Sequence, residues 1–219
     1  KKITCVVSMT NSMAIQVQKY TGYTSPVIGN FIDERRLATY RKKRSSEKTY
    51  RFIFIGSLIK GKQVFLLLDA MANLVKDSVD AKLDILGSGP LLQSLKDRST
   101  QLNIVDKVYF HGYIKEPYDY ISNADVFVLP SISEGVSRAA LESLYLGVPC
   151  VLRKVDGASE LIQEGKNGCL FKDNTELATA MICAAKLSRS YSKSISLIPQ
   201  NFRQKNSVKK YLELLESKA

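Results

Sequence analysis

Short apolar runs alternate with longer segments of helical period along most of this chain. "RFIFIG" (Arg51–Gly56) predicts a strand. Val64, Leu68, Met71 and Val75 then line one face of a helix over residues 61–76. "KLDILG" (Lys82–Gly87) predicts the next strand, and Pro90 opens a helix that runs to about Leu102. "KVYFHG" (Lys107–Gly112) is a third strand, followed by a short helix ending near Ser122, and "DVFVLP" (Asp125–Pro130) is a fourth. A helix carrying Glu142 precedes the fifth strand, "PCVLR" (Pro149–Arg153). A short helix near Ser159–Gln163 leads into "GCLF" (Gly168–Phe171). Thr175–Leu187 is helical, with Leu177, Met181 and Ala185 on one face, and Asn206–Ser217 reads as a last amphipathic helix.

Strands alternating with helices imply βαβ units. The expected fold class is therefore α/β, a Rossmann-like parallel sheet with helices on both faces, since the crossovers are right-handed. The first 32 residues read as one further strand, helix and strand: "ITCVVS", "MAIQVQKY" and "PVIGNFID". Residues 33–50 are polar and charged and read as a linker or hinge. The expected organisation is thus an initial segment 1–32, the linker 33–50, a sheet domain 51–188 and a helical tail 189–219.

Composition narrows the class. The 219 residues are 45% apolar, enough for a substantial core. No apolar run approaches the roughly 18 residues that would span a bilayer, and the lysine-containing N-terminus lacks the apolar stretch of a signal peptide. The chain does not begin with Met and reads as the back part of a longer protein. Its four cysteines, Cys5, Cys150, Cys169 and Cys183, are far apart in sequence and mostly in apolar runs, which predicts reduced, mostly buried thiols in a cytoplasmic setting. With no C-x-x-C pair and a single histidine, no protein-built metal site is expected.

The net charge of +11 is uneven: residues 52–185 hold 13 Lys/Arg and 16 Asp/Glu, so the basic excess lies entirely on the flanks. It is densest in "RRLATYRKKRSSEKTYR" and in the tail from Lys186. A solvated linker and helix face is the plain reading, and attraction to an anionic membrane surface is the alternative. No groove-reading or aromatic-basic motif points to nucleic acid.

Ligands of open parallel sheets bind beyond the carboxyl ends of the strands. Gly56-Ser57, with Lys60 and Lys62 beside it, follows the first strand. Gly87-Ser88-Gly89-Pro90 follows the second, Gly112-Tyr113 the third, and Pro130-Ser131 up to Gly135 the fourth. Together these turns suggest an edge that grips an anion and a ring. Within "SISEGVSRAALESLYLGVPC", Glu134 and Glu142 stand eight positions apart. If the helix begins over Gly135–Arg138, its amides face a phosphate and a lysine from the Gly56 loop adds a charge-assisted bond. Glu142, about two turns inside, could accept from two ribose hydroxyls, and Glu134, just outside, could reach a sugar beyond the phosphates. The plain reading makes both solvent-facing, but Leu141, Leu144 and Tyr145 surround Glu142 with core-like positions.

These motifs resemble a known family. Ser131–Cys150 followed by "VDGASELIQEGKNGCLF", together with "FIGSLIKGK", "LDILGSGPL", "VYFHGYI" and "ADVFVLPSISEG", is similar to the retaining family-4 glycosyltransferases of the glycosyltransferase-B fold. Their signature is a glutamate, seven residues and a second glutamate. The resemblance implies the C-terminal, donor-binding half of that fold with the end of the N-terminal, acceptor-binding one, and a final helix that crosses back toward the latter. It implies transfer of a hexose-type sugar from a nucleotide diphosphate sugar, UDP- or GDP-linked, to a glycan or lipid-linked acceptor. Such work belongs to cell-surface polysaccharide or glycolipid synthesis, in the cytoplasm or peripherally at the inner membrane face, with no cofactor or metal and the acceptor pocket outside this chain.

Carried over by position, Lys62 grips the diphosphate within the Gly56, Ser57, Lys60 and Gly89 loops, and Tyr113 and Ile114 flank the base. Glu134 contacts the donor sugar, Glu142 the ribose, and amides near Ser137 and Arg138 the phosphate or sugar. Glu134 and Lys62 are the expected catalytic pair. The sequence departs from the family where Ser57 replaces a usual arginine, with Lys60 or Arg138 as candidate substitutes, and where "VSRAALES" replaces the usual Phe-Gly after Glu134-Gly135. This piece alone is expected to bind donor and catalyse little.

The rivals are a sugar-nucleotide epimerase of the same architecture, a non-catalytic donor-binding subunit, and a glycosidase using Glu134 and Glu142 as acid and base. The phosphate-gripping Gly56–Lys62 loop speaks against the last. His111, the only histidine, reads as structural. Asp156-Gly157 and Glu160 form either a sugar-approaching loop or a plain turn with a helix cap.

Overall fold

The computed structural model describes residues 5–41, 48–155, 157–190 and 195–217. Six strands form one sheet: β1 (Tyr50–Ile55), β2 (Ala81–Leu86), β3 (Val108–Gly112), β4 (Val126–Leu129), β5 (Cys150–Arg153) and β6 (Gly168–Phe171). All pairings are parallel, in the order β3-β2-β1-β4-β5-β6. Helices lie on both faces. α3 (Val64–Lys76), α4 (Leu92–Gln101) and α8 (Leu177–Arg189) pack together on one side. α5 (Tyr118–Asn123) and α6 (Arg138–Tyr145) cover the other. The fold is the expected α/β Rossmann-like one.

Covering both faces explains the composition of the strands. Central parallel strands have no solvated side, so they read as continuous apolar runs rather than alternating ones. Phe52, Ile53 and Phe54 of β1 and all of Val126–Leu129 in β4 are buried. The helix faces predicted by Leu68, Met71, Leu177, Met181 and Ala185 are buried against this sheet.

The strands fall within a residue or two of expectation, while several helices begin later. The helix predicted from residue 61 starts at Val64, after a 3-10 turn at Lys60–Lys62. Gln63 ends that turn in the left-handed region, at φ 53°. A second 3-10 turn, Asn174–Glu176, precedes α8, and Asp173 and Glu176 cap it reciprocally. α7 (Ala158–Leu161) and α9 (Gln204–Glu216) complete the domain and tail.

The first segment corrects the reading of the chain. Only its helix forms, as α1 (Asn11–Thr21). In place of two strands there is a single parallel bridge between Ser8 and Val27, among the described residues. These two runs have only each other to pair with, and a lone pair of strands is marginal without further neighbours. The linker is likewise more than a spacer. It contains α2 (Glu34–Ala38), whose Leu37 is buried and which packs on α6. Residues 42–47, the core of the basic run, lie outside the described residues.

α9 returns to this segment. Arg203 donates from Nε and Nη2 to the Glu34 carboxylate at 2.9 and 2.7 Å, and buried Ser207 Oγ donates to the Gly29 carbonyl at 2.9 Å. The thiols expected to be mostly buried divide: Cys150 and Cys169 are buried, Cys5 is partly exposed and Cys183 is exposed on α8. Burial, then a hydrogen bond with Cys183, pushes the Cys169 thiol up to about 12.

At the carboxyl edge, the loops after β1 and β2 touch. Gly87 sits at φ 147°, and a Cβ there would lie 1.8 Å from the Gly56 carbonyl oxygen. Gly87→Ala therefore meets both a forbidden backbone region and a backbone clash. It should lower stability by about 2–4 kcal/mol, seen as a reduced urea midpoint at unchanged slope. A loss below about 0.5 kcal/mol, the range of neutral surface changes, would show that the two loops can part freely.

Candidate functional site at the switch point of the sheet

Strand order reverses between β1 and β4, the point where open α/β sheets hold ligands. Each contributes a loop there. Leu58 anchors the β1 loop: its side chain is buried and its N–H donates to the Ser88 carbonyl at 2.9 Å. The β4 loop is stitched to the 3-10 turn through one acceptor, the Gly61 carbonyl. It receives the Ile132 N–H at 3.0 Å and the Ser131 hydroxyl at 3.1 Å. This stitching brings Lys62 and Glu134 together, and Lys62 Nζ pairs with Glu134 Oε1. Both side chains are 23% exposed, so the pair is open to a ligand yet shielded from bulk water. The sequence assigned these residues to neighbouring parts of one ligand and did not foresee that they bond each other.

The mouth of α6 opens beside this pair. Ser137 is the N-cap, its hydroxyl accepting from the Ala140 N–H at 3.3 Å. The first-turn amides of a helix point out of its mouth, with the positive end of the dipole. Because α6 begins at Arg138, Glu142 lies about one turn inside rather than two. It is not solvent-facing: only 8% of its surface is exposed, between α5 and α2. Arg138 Nη2 lies 3.7 Å from its carboxylate. Burial raises the Glu142 pKa, an effect that the charges of Arg138 and Arg36 partly offset. Tyr118 next to it is raised as well, first by burial and then by the Glu142 charge.

On the other side of the β1 loop, Gly56, Ser57, Gly87, Ser88, Tyr113 and Ile114 line an open cleft of about 200 Å³. Tyr113 is exposed and its ring is free to stack. Gly89 does not line this cleft; it lies under the β1 loop, where a Cβ would come within 2.5 Å of the Leu58 carbonyl oxygen. Lys60 is exposed on the same turn as Lys62, while its carbonyl accepts from the Gln63 amide side chain.

Three contacts could not be read from the sequence. Arg36 on α2 bonds Glu116 at 2.5 Å and lies over the Tyr118 ring, so the linker reaches the Glu142 side of the site. His111 pairs with Asp84 at 2.7 Å and packs on Tyr120, a cross-strand contact in keeping with its structural reading. Glu160 caps not its own helix but α1, more than a hundred residues earlier in the chain. Asp156 lies outside the described residues.

The charge state of Glu142 is testable through stability. A carboxyl with a raised folded pKa holds more protons in the folded than in the unfolded chain between the two pKa values. Its ionisation therefore costs stability as pH rises through that window, and the full cost persists above it. Glu142→Gln should raise the urea midpoint at pH 7, and the gain should vanish as pH falls below the ordinary value of 4.5. A lowered midpoint at pH 7 would contradict this.

The family profile described as glycosyl transferases group 1 matches residues 37–196. An N-acetyl-alpha-D-glucosaminyl L-malate synthase of Bacillus anthracis is 35% identical over 161 residues, covering 70% of this chain and 42% of the relative. A GDP-mannose-dependent alpha-(1-6)-phosphatidylinositol dimannoside mannosyltransferase of Mycobacterium tuberculosis is 32% identical over 162 residues, 73% of this chain and 41% of the relative. The chain thus spans about two fifths of the length of these curated relatives. Among solved structures, Anabaena HepE in complex with UDP and glucose matches with a TM-score of 0.80 at 19% identity, over 98% of this chain and 63% of that one. The lipopolysaccharide outer core galactosyltransferase WaaB matches at 0.79 and 20%, over 97% and 62%. These likenesses give the epimerase expectation no support. On the match over residues 37–196, the chain belongs to the glycosyl transferases group 1 family.

Proposed function

We propose that this chain holds the donor of a retaining glycosyltransferase, a nucleotide diphosphate sugar lying across the switch point. The observation that carries the reading is the meeting of Lys62 and Glu134, from the loops after β1 and β4, beside the α6 mouth that holds buried Glu142. Several solved neighbours contain UDP with a sugar, and one relative is named as GDP-mannose-dependent, which supports a UDP- or GDP-linked donor.

The roles follow from charge and reach. Tyr113 and Ile114 take the base in the 200 Å³ cleft. Glu142 is acceptor-only when ionised, and its two oxygens suit the paired hydroxyls of a ribose. Lys62 and the amides near Ser137 and Arg138 meet the diphosphate, and Arg138 supplies the cation that Ser57 does not. Glu134 accepts from hydroxyls of the sugar. As the bond from the anomeric carbon to the phosphate oxygen breaks, its electron pair leaves with the diphosphate, where a fixed cation and helix dipole are worth most. The acceptor hydroxyl, on a glycan or lipid-linked chain, attacks from the same face, gives its proton to the departing diphosphate oxygen and retains the configuration. Acceptor binding belongs to the longer protein. Exposed Lys205, Lys209 and Lys210 on α9 suit peripheral attachment to anionic lipid; equal sedimentation with neutral and anionic vesicles would remove that part.

Calorimetry on this chain should show binding of UDP or GDP. Lys62→Ala and Glu142→Ala should each weaken it about 10- to 100-fold, as loss of a charge-assisted bond of roughly 1.5–3 kcal/mol requires. Unchanged affinity in both variants would overturn the site.

A further inference from the structure

Glu160 makes three bonds to the N-terminal end of α1. One carboxylate oxygen accepts from the Asn11 N–H at 3.0 Å and from Asn11 Nδ2 at 2.8 Å, and the other accepts from the Ser12 N–H at 3.0 Å. Thr10, the N-cap of α1, adds the intrinsic bond from the Met13 N–H at 3.1 Å. A carboxylate at this position satisfies orphan amides and the positive end of the helix dipole. It does so from α7, 149 positions further along the chain than Asn11, so the bonds dock one segment on another rather than close a local cap.

Where α1 docks matters. A Cβ on Gly135 would come within 2.5 Å of Met13 Cε and 3.3 Å of Met9 Cε. A Cβ on Gly157 would come within 2.5 Å of Thr10 Cγ2 and 2.7 Å of the Gly135 carbonyl oxygen. The mouth of α1 is therefore pressed onto the loop of Glu134 and Gly135, and Gly157, which meets the Gly135 backbone, is needed for that approach. We propose that Glu160 is a positioning residue: by holding the α1 mouth on the Glu134–Gly135 loop, it makes Met9 and Met13 a wall of the subsite for the donor sugar. The inference rests on the proposed function, which places the sugar at Glu134. It adds that the sugar end of the site is assembled from two segments, the α1 mouth and the Glu134–Gly135 loop.

Glu160→Ala, Glu160→Gln and Met13→Ala test this in the full chain described here. Calorimetry would compare UDP and GDP with UDP-glucose, UDP-N-acetylglucosamine and GDP-mannose. In the wild type, at least one sugar nucleotide should bind more tightly than its nucleotide. All three variants should keep the nucleotide affinity and lose about tenfold of the preference for that sugar nucleotide, with Glu160→Gln the mildest. Hydrogen exchange gives a readout without ligand. In Glu160→Ala, the amides of Asn11 and Ser12 and those of the Glu134–Gly135 loop should exchange faster together. A variant that loses thermal stability but keeps the full sugar preference and a protected loop would reduce Glu160 to a plain cap and overturn the inference. A wild-type chain that binds nucleotide with no preference for any of these sugars would overturn it too, leaving the nucleotide reading intact. Binding of neither nucleotide would instead sink the proposed function itself.

Discussion

A single backbone acceptor, the Gly61 carbonyl, stitches the loop after β1 to the loop after β4, just beyond the point where those two strands pair. The loops after β1 and β4 diverge in sequence by some seventy residues, and they meet because Ser131 and Ile132 donate to that one oxygen. The bonds are short-range and directional, so they set the position of Lys62 relative to Glu134 within narrow limits. Without them, each side chain would sit on a separate turn at the rim, and the ion pair between them would be two independent charges in water. The rest of the site is arranged around this junction. The cleft at Tyr113 lies on the β2 and β3 side, and the α6 mouth lies on the β4 and β5 side.

The site also carries charge that the fold does not need. Glu142 is buried at the base of a helix mouth, and its ionisation is disfavoured there despite two nearby guanidinium groups. A leucine at that point would pack against the same neighbours without the desolvation cost. A buried acid with a shifted pKa and cationic neighbours in a cleft is a candidate for function, and structural ion-pair networks shift pKa values in the same way. Lys62 and Glu134 tell a milder version of the same story. Their pair satisfies both groups in the structure, and in the proposed complex a diphosphate with a polyhydroxyl sugar would replace each partner in turn.

The segments outside the sheet domain share its core through Ile32, Leu37, Ile198 and Phe202, and a few specific polar contacts fix them further. Arg203 and Glu34 join the tail to the linker, Arg36 joins the linker to the Tyr118 and Glu116 region, and Glu160 joins α1 to α7. Charge-assisted bonds of this kind are angle-dependent and replaceable by water. Apolar burial, which dominates between the sheet and α3, α6 and α8, is non-directional and suits a domain that moves as one body.

Much of this protein could be read along the chain, because the physics concerned is local or periodic. Apolar runs such as "RFIFI" and "DVFVL" have to be central parallel strands, and the helix faces follow from spacing alone. The glycine and proline turns after each strand marked the edge where the loops gather, since in a parallel sheet all carboxyl ends lie together. The strands expected in the first segment did not form, because pairing depends on neighbours that a local pattern cannot count. Tertiary structure alone decided which loops touch: that Lys62 bonds Glu134, that Arg36 reaches the neighbourhood of Glu142, and that Glu160 caps a helix 149 positions away. No periodicity links such residues. Their meeting follows from the order in which the strands are laid into the sheet, which brings distant parts of the chain to one edge.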